Sequence, residues 1–310
     1  MVFLQYPPIS MDSECLVPLI SCFDPWRSGL CTCPPKLSFN PYTGCDHECL
    51  YCYATSYIPN HRTVKPKKSL LPTLRQEAVR LNGEILAMSS SSDPYPTVEA
   101  ELGLTRQCLQ IIARNNCRLQ VFTKSDIVAR DADLLSQIPC TVALTITTSD
   151  DQLAAIIEPK APAPSKRLKA IRTLTKLSVP VIVRVDPIIP TLNDNPAELI
   201  RILAELGVKH ITSSTYKVKA DNWMRLTHSL PETAEKLRPL YYTHGEIQAG
   251  NRTLPREFRF KLIKKIADIA QAHGMRFGAC REGIVELNTA QCDGSYLIPK
   301  AKETPQCRLV

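Results

Sequence analysis

From about residue 37 the chain alternates between two hydrophobic periodicities. Short apolar or β-branched runs at Leu37–Asn40, Glu84–Met88, Leu119–Thr123, Thr141–Thr147, Val179–Val185 and His210–Tyr216 predict strands. Longer stretches between them place apolar residues three and four apart. In Pro196–Leu206 the residues Leu199, Ile202, Leu203 and Leu206 share one helical face. Asn195 suits the N-cap there, Pro196 the first helical position and Gly207 the C-cap. The spacing predicts a second helix over Pro255–His273, with Phe258, Leu262, Ile266 and Ile269 inward and Gly274 closing it. A third is capped by Ser165 and carries Leu168, Ile171 and Leu174 on one face; a fourth covers Thr105–Arg114.

Repeated strand–helix alternation implies right-handed βαβ units and an α/β fold built on a parallel sheet. A closed sheet and an open doubly wound sheet both fit that pattern. Either way, ligands belong at the carboxyl ends of the strands. Turn-forming clusters stand there, as in SSSSDPYP after the second strand and DPIIPTLND after the fifth.

Composition narrows the class. The 310 residues are 44% hydrophobic and 22% charged, which excludes a mainly disordered chain. No apolar run approaches the roughly 18 residues of a membrane span, and MVFLQYPPISMDSECLVPL lacks the basic and apolar regions of a signal peptide. The expectation is a cytoplasmic protein with no membrane partner. A net charge of +8 is compatible with an anionic partner, but the excess is diffuse.

The cysteines say more. Thirteen thiols without an export signal argue for metal or redox chemistry over a disulfide framework. Three of them stand directly after the first strand, in Asn40-Pro-Tyr-Thr-Gly-Cys45-Asp-His-Glu-Cys49-Leu-Tyr51-Cys52-Tyr-Ala54. The C-x3-C-x2-C spacing lets a compact loop turn three thiolates to one side, as iron–sulfur ligation requires. A structural zinc site normally takes four ligands, and His47 is the fourth candidate, poorly aimed from inside the loop. Three protein ligands on a four-iron cluster would leave one iron open to a small molecule.

This C-x3-C-x-aromatic-C motif, with Tyr51 as the aromatic, resembles the signature of the radical S-adenosylmethionine superfamily. The likeness runs from about 37 to 216. More narrowly, NPYTGCDHECLYCYA, SSSSDPYPTVE, TKSDIVARD, EPKAPAPSKRL and DPIIPTLND resemble the spore photoproduct lyase-related group. The resemblance implies a partial (β/α)6 TIM-like barrel with N- and C-terminal extensions. Its implied division is 1–33 as a Cys-containing extension, 34–240 as the barrel and 241–310 as a helical, Cys-containing extension.

It further implies that Cys45, Cys49 and Cys52 hold a 4Fe-4S cluster, with S-adenosyl-L-methionine on the open iron as radical source. Ser89, Ser90, Ser91, Ser92 and Asp93 align with the motif that receives the methionine amine, although the commoner version is glycine-rich. Lys124, Thr147 and Arg167 are expected around the cofactor's ribose and carboxylate. The implied activity is hydrogen abstraction from a substrate, with a nucleic acid base (lyase, DNA repair or modification) as one class. Protein side chains or small metabolites are another; the alternative to radical chemistry is a non-catalytic iron–sulfur or zinc module that senses metal or redox state. An electron donor such as ferredoxin or flavodoxin is the implied partner.

Cysteines outside the signature have two readings. Folding both chain ends over one barrel mouth brings Cys31, Cys33, Cys280 and Cys292 together as a second cluster or zinc site, or one of them donates hydrogen. Alternatively they are scattered structural thiols, as are Cys108, Cys117 and Cys140 in the core. The basic stretch His61–Lys68 and the helix segment 259–265 are candidate phosphate-facing surfaces, but neither is interleaved with stacking aromatics. Tyr241, Tyr242 and His244 are either pocket-lining or helix-end packing.

Overall fold

In the computed structural model, which describes residues 18–23, 29–89 and 91–300, all six expected strands form. They lie in one eight-stranded sheet: β1 (Ser21–Cys22), β2 (Leu37–Phe39), β3 (Ile85–Met88), β4 (Arg118–Thr123), β5 (Cys140–Thr145), β6 (Val181–Ile188), β7 (His210–Thr215) and β8 (Arg276–Ala279). The spatial order follows the chain from β1 to β8 without reversal, and only the β1–β2 pairing is antiparallel. A doubly wound sheet would reverse its order at a switch point. This one winds in a single direction and its two edge strands do not meet, which makes it an open, partial barrel.

Helices Leu104–Ile112, Pro164–Lys176, Ala197–Glu205 and Arg256–Ala272 connect consecutive strands. Leu109, Ile171, Leu174, Leu199 and Leu203 pack with Val121, Val142, Leu144, Val183 and Ile211 in one core. Each such side chain contributes about 1.5–3 kcal/mol by leaving water. Gly207 and Gly274 follow their helices in the left-handed region, as expected of C-terminal glycines.

Details differ where polar side chains compete with the pattern. The Arg256–Ala272 helix buries Arg259, Ile263, Ile266, Ala267 and Ala270, while Phe258 is exposed. Its inner face is turned about one residue, or ~100°, from the apolar count. The cause is Arg259, drawn inward by Glu246 (2.8 Å) and Glu282 (3.4 Å). The segment 259–265 therefore does not present Arg259 on a basic face. Ser165 is not a cap: Ala163 holds that position, and Ser165 donates through N and Oγ to Asp151 at 3.0 and 2.6 Å. Pro196, not Asn195, is the N-cap of Ala197–Glu205.

Two elements extend the sheet beyond the expected strands. β1 adds an antiparallel edge, and β8 pairs residue by residue with β7, from Arg276 beside His210 to Ala279 beside Ser213. The segment after β8 then enters the barrel interior. Gln120 Nε2 donates to the Asp293 carbonyl (2.8 Å) and Thr212 Oγ1 to that of Cys292 (2.7 Å). Gly278 makes this approach possible, because a Cβ there would stand 2.4 Å from Cys292 Cα. A smaller core of Trp223, Leu226, Leu237, Tyr216 and Tyr241 supports the cysteine loop from below. Tyr241 donates to the Tyr216 carbonyl at 3.0 Å and packs edge-on to its ring, so Tyr241 serves packing. Among the described residues no helix is long and apolar enough to cross a membrane.

Candidate active site

The loop after β2 is held by backbone bonds from three directions. Cys45 N donates to the His61 carbonyl (2.7 Å) and Leu50 N to that of Ile157 (2.9 Å). From the helix Ala220–Ser229, Arg225 donates to the carbonyls of Leu50 (3.1 Å) and Cys52 (2.6 Å), and Asn222 to that of Tyr51 (3.2 Å). Gly44 adopts φ +83°, and a Cβ there would meet the Thr63 carbonyl at 2.4 Å, so only glycine fits.

This anchoring turns Cys45, Cys49 and Cys52, all free thiols, into one cavity of about 610 Å³ at the carboxyl ends of the strands. Burial pushes the Cys45 thiol well up and Cys49 up to about 12, so ligation of iron or zinc entails loss of their protons. His47 is not turned onto them as a fourth ligand: its Nδ1 lies 3.6 Å from Asp93, and burial pulls its pKa down.

The second strand's loop closes the same cavity. Asp93 accepts from Thr123 Oγ1 (2.7 Å), Lys124 N (2.8 Å) and Tyr95 N (2.9 Å), tying the ends of β3 and β4 together. Ser89, Ser91, Asp93 and Lys124 line the cavity; Ser90 lies outside the described residues. The Lys124 ammonium sits 5.5 Å above the Tyr51 ring. Ser89 Oγ and Asn40 Oδ1 are buried cavity-lining residues' atoms with no hydrogen-bond partner among the described residues. An orphaned buried polar atom is costly unless a ligand or water satisfies it. Three thiols and orphaned hydroxyl and amide groups on one cavity fit a thiolate-held cluster with a polar cofactor beside it.

Two expected contacts are corrected. Arg167 and Thr147 do not reach the cavity but form a fully buried layer behind the loop, centred on Glu158. Glu158 pairs with Arg167 at 2.6 Å and accepts from Thr147 Oγ1 at 3.0 Å and from the Tyr51 hydroxyl. Arg167 also donates to the carbonyls of Thr145 (3.0 Å) and Pro162 (2.7 Å). A guanidinium without solvent contact needs a carboxylate, and Glu158 supplies it, which draws Arg167 inward and away from the mouth. Tyr51 reads the same way: its ring lines the cavity and its hydroxyl anchors the loop to Glu158. Burial raises the Glu158 pKa, but Arg167 and Lys124 outweigh it and hold the carboxyl below its ordinary range.

Sequence reasoning missed the far wall. Arg184 pairs with Asp186, whose carboxylate also accepts from Ser214 at 2.5 Å, and Lys217 pairs with Glu282 at 2.8 Å. Alternation within β6 carried a signal: Arg184 and Asp186 are half-buried positions in a strand whose other six residues are buried. Cys31, Cys33, Cys280 and Cys292 line this cavity too. Cys33 and Cys292 lie 3.7 Å apart, while Cys280 accepts from Arg184 at 3.9 Å. The stretch His61–Lys68 is divided: His61 is buried and bonded to the Ser91 carbonyl (3.0 Å), whereas Arg62, Lys65 and Lys68 are exposed.

Comparison with known proteins adds a family to this geometry. A protein of Mycobacterium tuberculosis is 26% identical over 257 residues, covering 75% of both chains. One of Methanocaldococcus jannaschii is 35% identical over 166 residues, covering 51% of this chain and 62% of its own. A spore photoproduct lyase variant with bound AdoMet and dinucleoside spore photoproduct shares the fold, with a TM-score of 0.60 at 15% identity over 78% of this chain and 75% of its own. So does a radical S-adenosylmethionine methyltransferase of Kitasatospora setae, bound to tryptophan and a SAM analog, with a TM-score of 0.55 at 13% identity, over 84% of this chain and 57% of its own. The model of the Radical SAM superfamily matches residues 39–206, the stretch from the end of β2 through the helix after β6. With its cysteine loop inside that match, the chain belongs to the Radical SAM superfamily.

Proposed function

We propose that the protein is a radical S-adenosylmethionine enzyme acting on a nucleic acid base, by lyase, repair or modification chemistry. The observation that carries the radical chemistry is the convergence of Cys45, Cys49 and Cys52 on a cavity that also holds the orphaned Ser89 and Asn40 atoms. These thiolates would hold a 4Fe-4S cluster, with Ser89, Ser91, Asp93, Lys124 and Tyr51 beside the cofactor. When bound, the pair supplies reductive cleavage of a sulfonium and hydrogen abstraction from substrate. The chain's own part is positional. The Glu158–Arg167 layer fixes Tyr51 and hence Cys52, and Asp93 fixes the two strand ends.

The nucleic acid reading is supported by the Lys124 ammonium on the cavity wall and by the dinucleoside bound to the similarly folded lyase. The pairing of Lys36 with Asp293, Arg184 with Asp186 and Lys217 with Glu282 favours a second reading, a small-molecule substrate, because it leaves little unpaired positive charge for phosphates.

The test is release of 5′-deoxyadenosine by anaerobically reconstituted protein given S-adenosylmethionine and a strong reductant. Release is expected from the native protein and not from Cys49→Ala. No release and no cofactor binding by iron-loaded protein would leave a non-catalytic iron–sulfur module. Salt-sensitive affinity for single-stranded DNA or RNA is expected on the first substrate reading and not on the second.

A further inference from the structure

The cavity wall opposite the signature loop carries thiols that the radical chemistry does not use. Cys33 Sγ and Cys292 Sγ stand 3.7 Å apart, although 259 residues separate them in the chain. Cys31, two residues before Cys33, lines the same cavity. Tetrahedral zinc with Zn–S bonds of about 2.3 Å holds its thiolates about 3.8 Å apart. The Cys33–Cys292 separation matches that edge.

The surroundings hold this edge in place. Lys36 and Asp293, three and one residues from the two thiols, form a buried ion pair at 2.5 Å that fastens the N-terminal segment to the C-terminal one. Lys36 also donates to Gln120 (3.0 Å), which in turn donates to the Asp293 carbonyl (2.8 Å). Thr212 holds the Cys292 carbonyl at 2.7 Å, and Gly278 leaves room for its backbone. Thr32 Oγ1 lies 3.3 Å from Cys292 Sγ, placed to donate to a thiolate. Outer groups that orient ligands and bond to their sulfur are what metal sites use to fix thiolates.

We infer that Cys31, Cys33 and Cys292 form a second metal site, a mononuclear zinc-type centre distinct from the one held by Cys45, Cys49 and Cys52. Among the described residues no three Cys, His, Asp or Glu side chains yet converge at ion distance. The Cys33–Cys292 edge is preformed, and metal binding would have to draw the Cys31 thiol onto it. Cys280 stays outside the set, because its thiol faces Arg184. Three protein ligands leave the fourth position open to the cavity, the arrangement of zinc centres that bind water or a substrate heteroatom. This inference does not depend on the proposed substrate.

Metal analysis of the Cys45→Ala/Cys49→Ala/Cys52→Ala variant separates the two sites. That variant is expected to retain roughly one zinc per chain. After metal removal, added cobalt(II) is expected to give thiolate-to-cobalt charge-transfer absorption. Adding Cys33→Ser and Cys292→Ser should abolish both signals. Absence of zinc and of cobalt absorption from the first variant, their persistence in the second, or acid-labile sulfide accompanying the metal would each overturn the site. Should the combined variant not fold, mass-spectrometric mapping of alkylated thiols in the native protein decides. Cys33 and Cys292 are expected to become reactive only after a chelator is added, and equal labelling with and without it would overturn the assignment. Iron held by Cys45, Cys49 and Cys52 is counted separately in the Cys33→Ser/Cys292→Ser variant, so failure of one site is not read as failure of the other.

Discussion

Glu158 is the residue on which the signature loop rests. It is buried and joins Tyr51, Thr147 and Arg167 in one network. Arg167→Ala would leave a buried carboxylate unpaired, and a loss of about 3–5 kcal/mol in urea unfolding is expected. The same network sets a pH dependence. Because the folded carboxyl titrates below the unfolded value of about 4.3, its contribution is complete above that pH. It is lost as pH falls through the lower folded value. Unfolding followed from neutral to acid pH should therefore show a shallower acid limb in Glu158→Gln than in the native chain. Ser89 is the opposite case, a buried hydroxyl without a hydrogen-bond partner among the described residues. Ser89→Ala should leave apo-protein stability nearly unchanged, yet weaken S-adenosylmethionine binding about 3- to 10-fold by calorimetry, the worth of one hydrogen bond. An unchanged affinity would remove Ser89 from the cofactor site.

Among elements, the strands and most helices were legible because their burial pattern is local. Strands β3 and β5 are buried along their whole length, which writes a continuous apolar or β-branched run into the chain. β8 was not legible: Arg-Phe-Gly-Ala is too short and mixed to carry a period, and only its pairing with β7 makes it a strand. The inward turn of Arg259 was likewise hidden, since an apolar count assigns every arginine to solvent. The signature loop is an element held from outside itself, with Gly44 pressed against the Thr63 carbonyl. Gly44→Ala is expected to abolish iron loading on reconstitution while far-UV circular dichroism stays native. Full iron occupancy in that variant would show that the loop tolerates displacement.

The whole molecule is an open barrel whose interior receives the segment after β8. The buried Lys36–Asp293 pair and the bonds from Gln120 and Thr212 seat the C-terminal segment where a closed barrel would place further side chains. Gly278→Ala forces a Cβ against the Cys292 backbone, and a loss of at least about 1–3 kcal/mol in thermal unfolding is expected. Native stability in that variant would mean that the segment is not firmly seated.

Read alone, the chain already contained the six core strands, the helices between them and the three-thiol loop, because periodicity and motif spacing act over a few residues. It also contained the Ser-rich turn that borders the cavity. The tertiary structure decided which distant groups meet: that Arg167 turns to Glu158 and not to the mouth, and that Cys33 reaches Cys292 while Cys280 faces Arg184. Such meetings depend on strand pairing and buried charge compensation across hundreds of residues, and no local pattern encodes them.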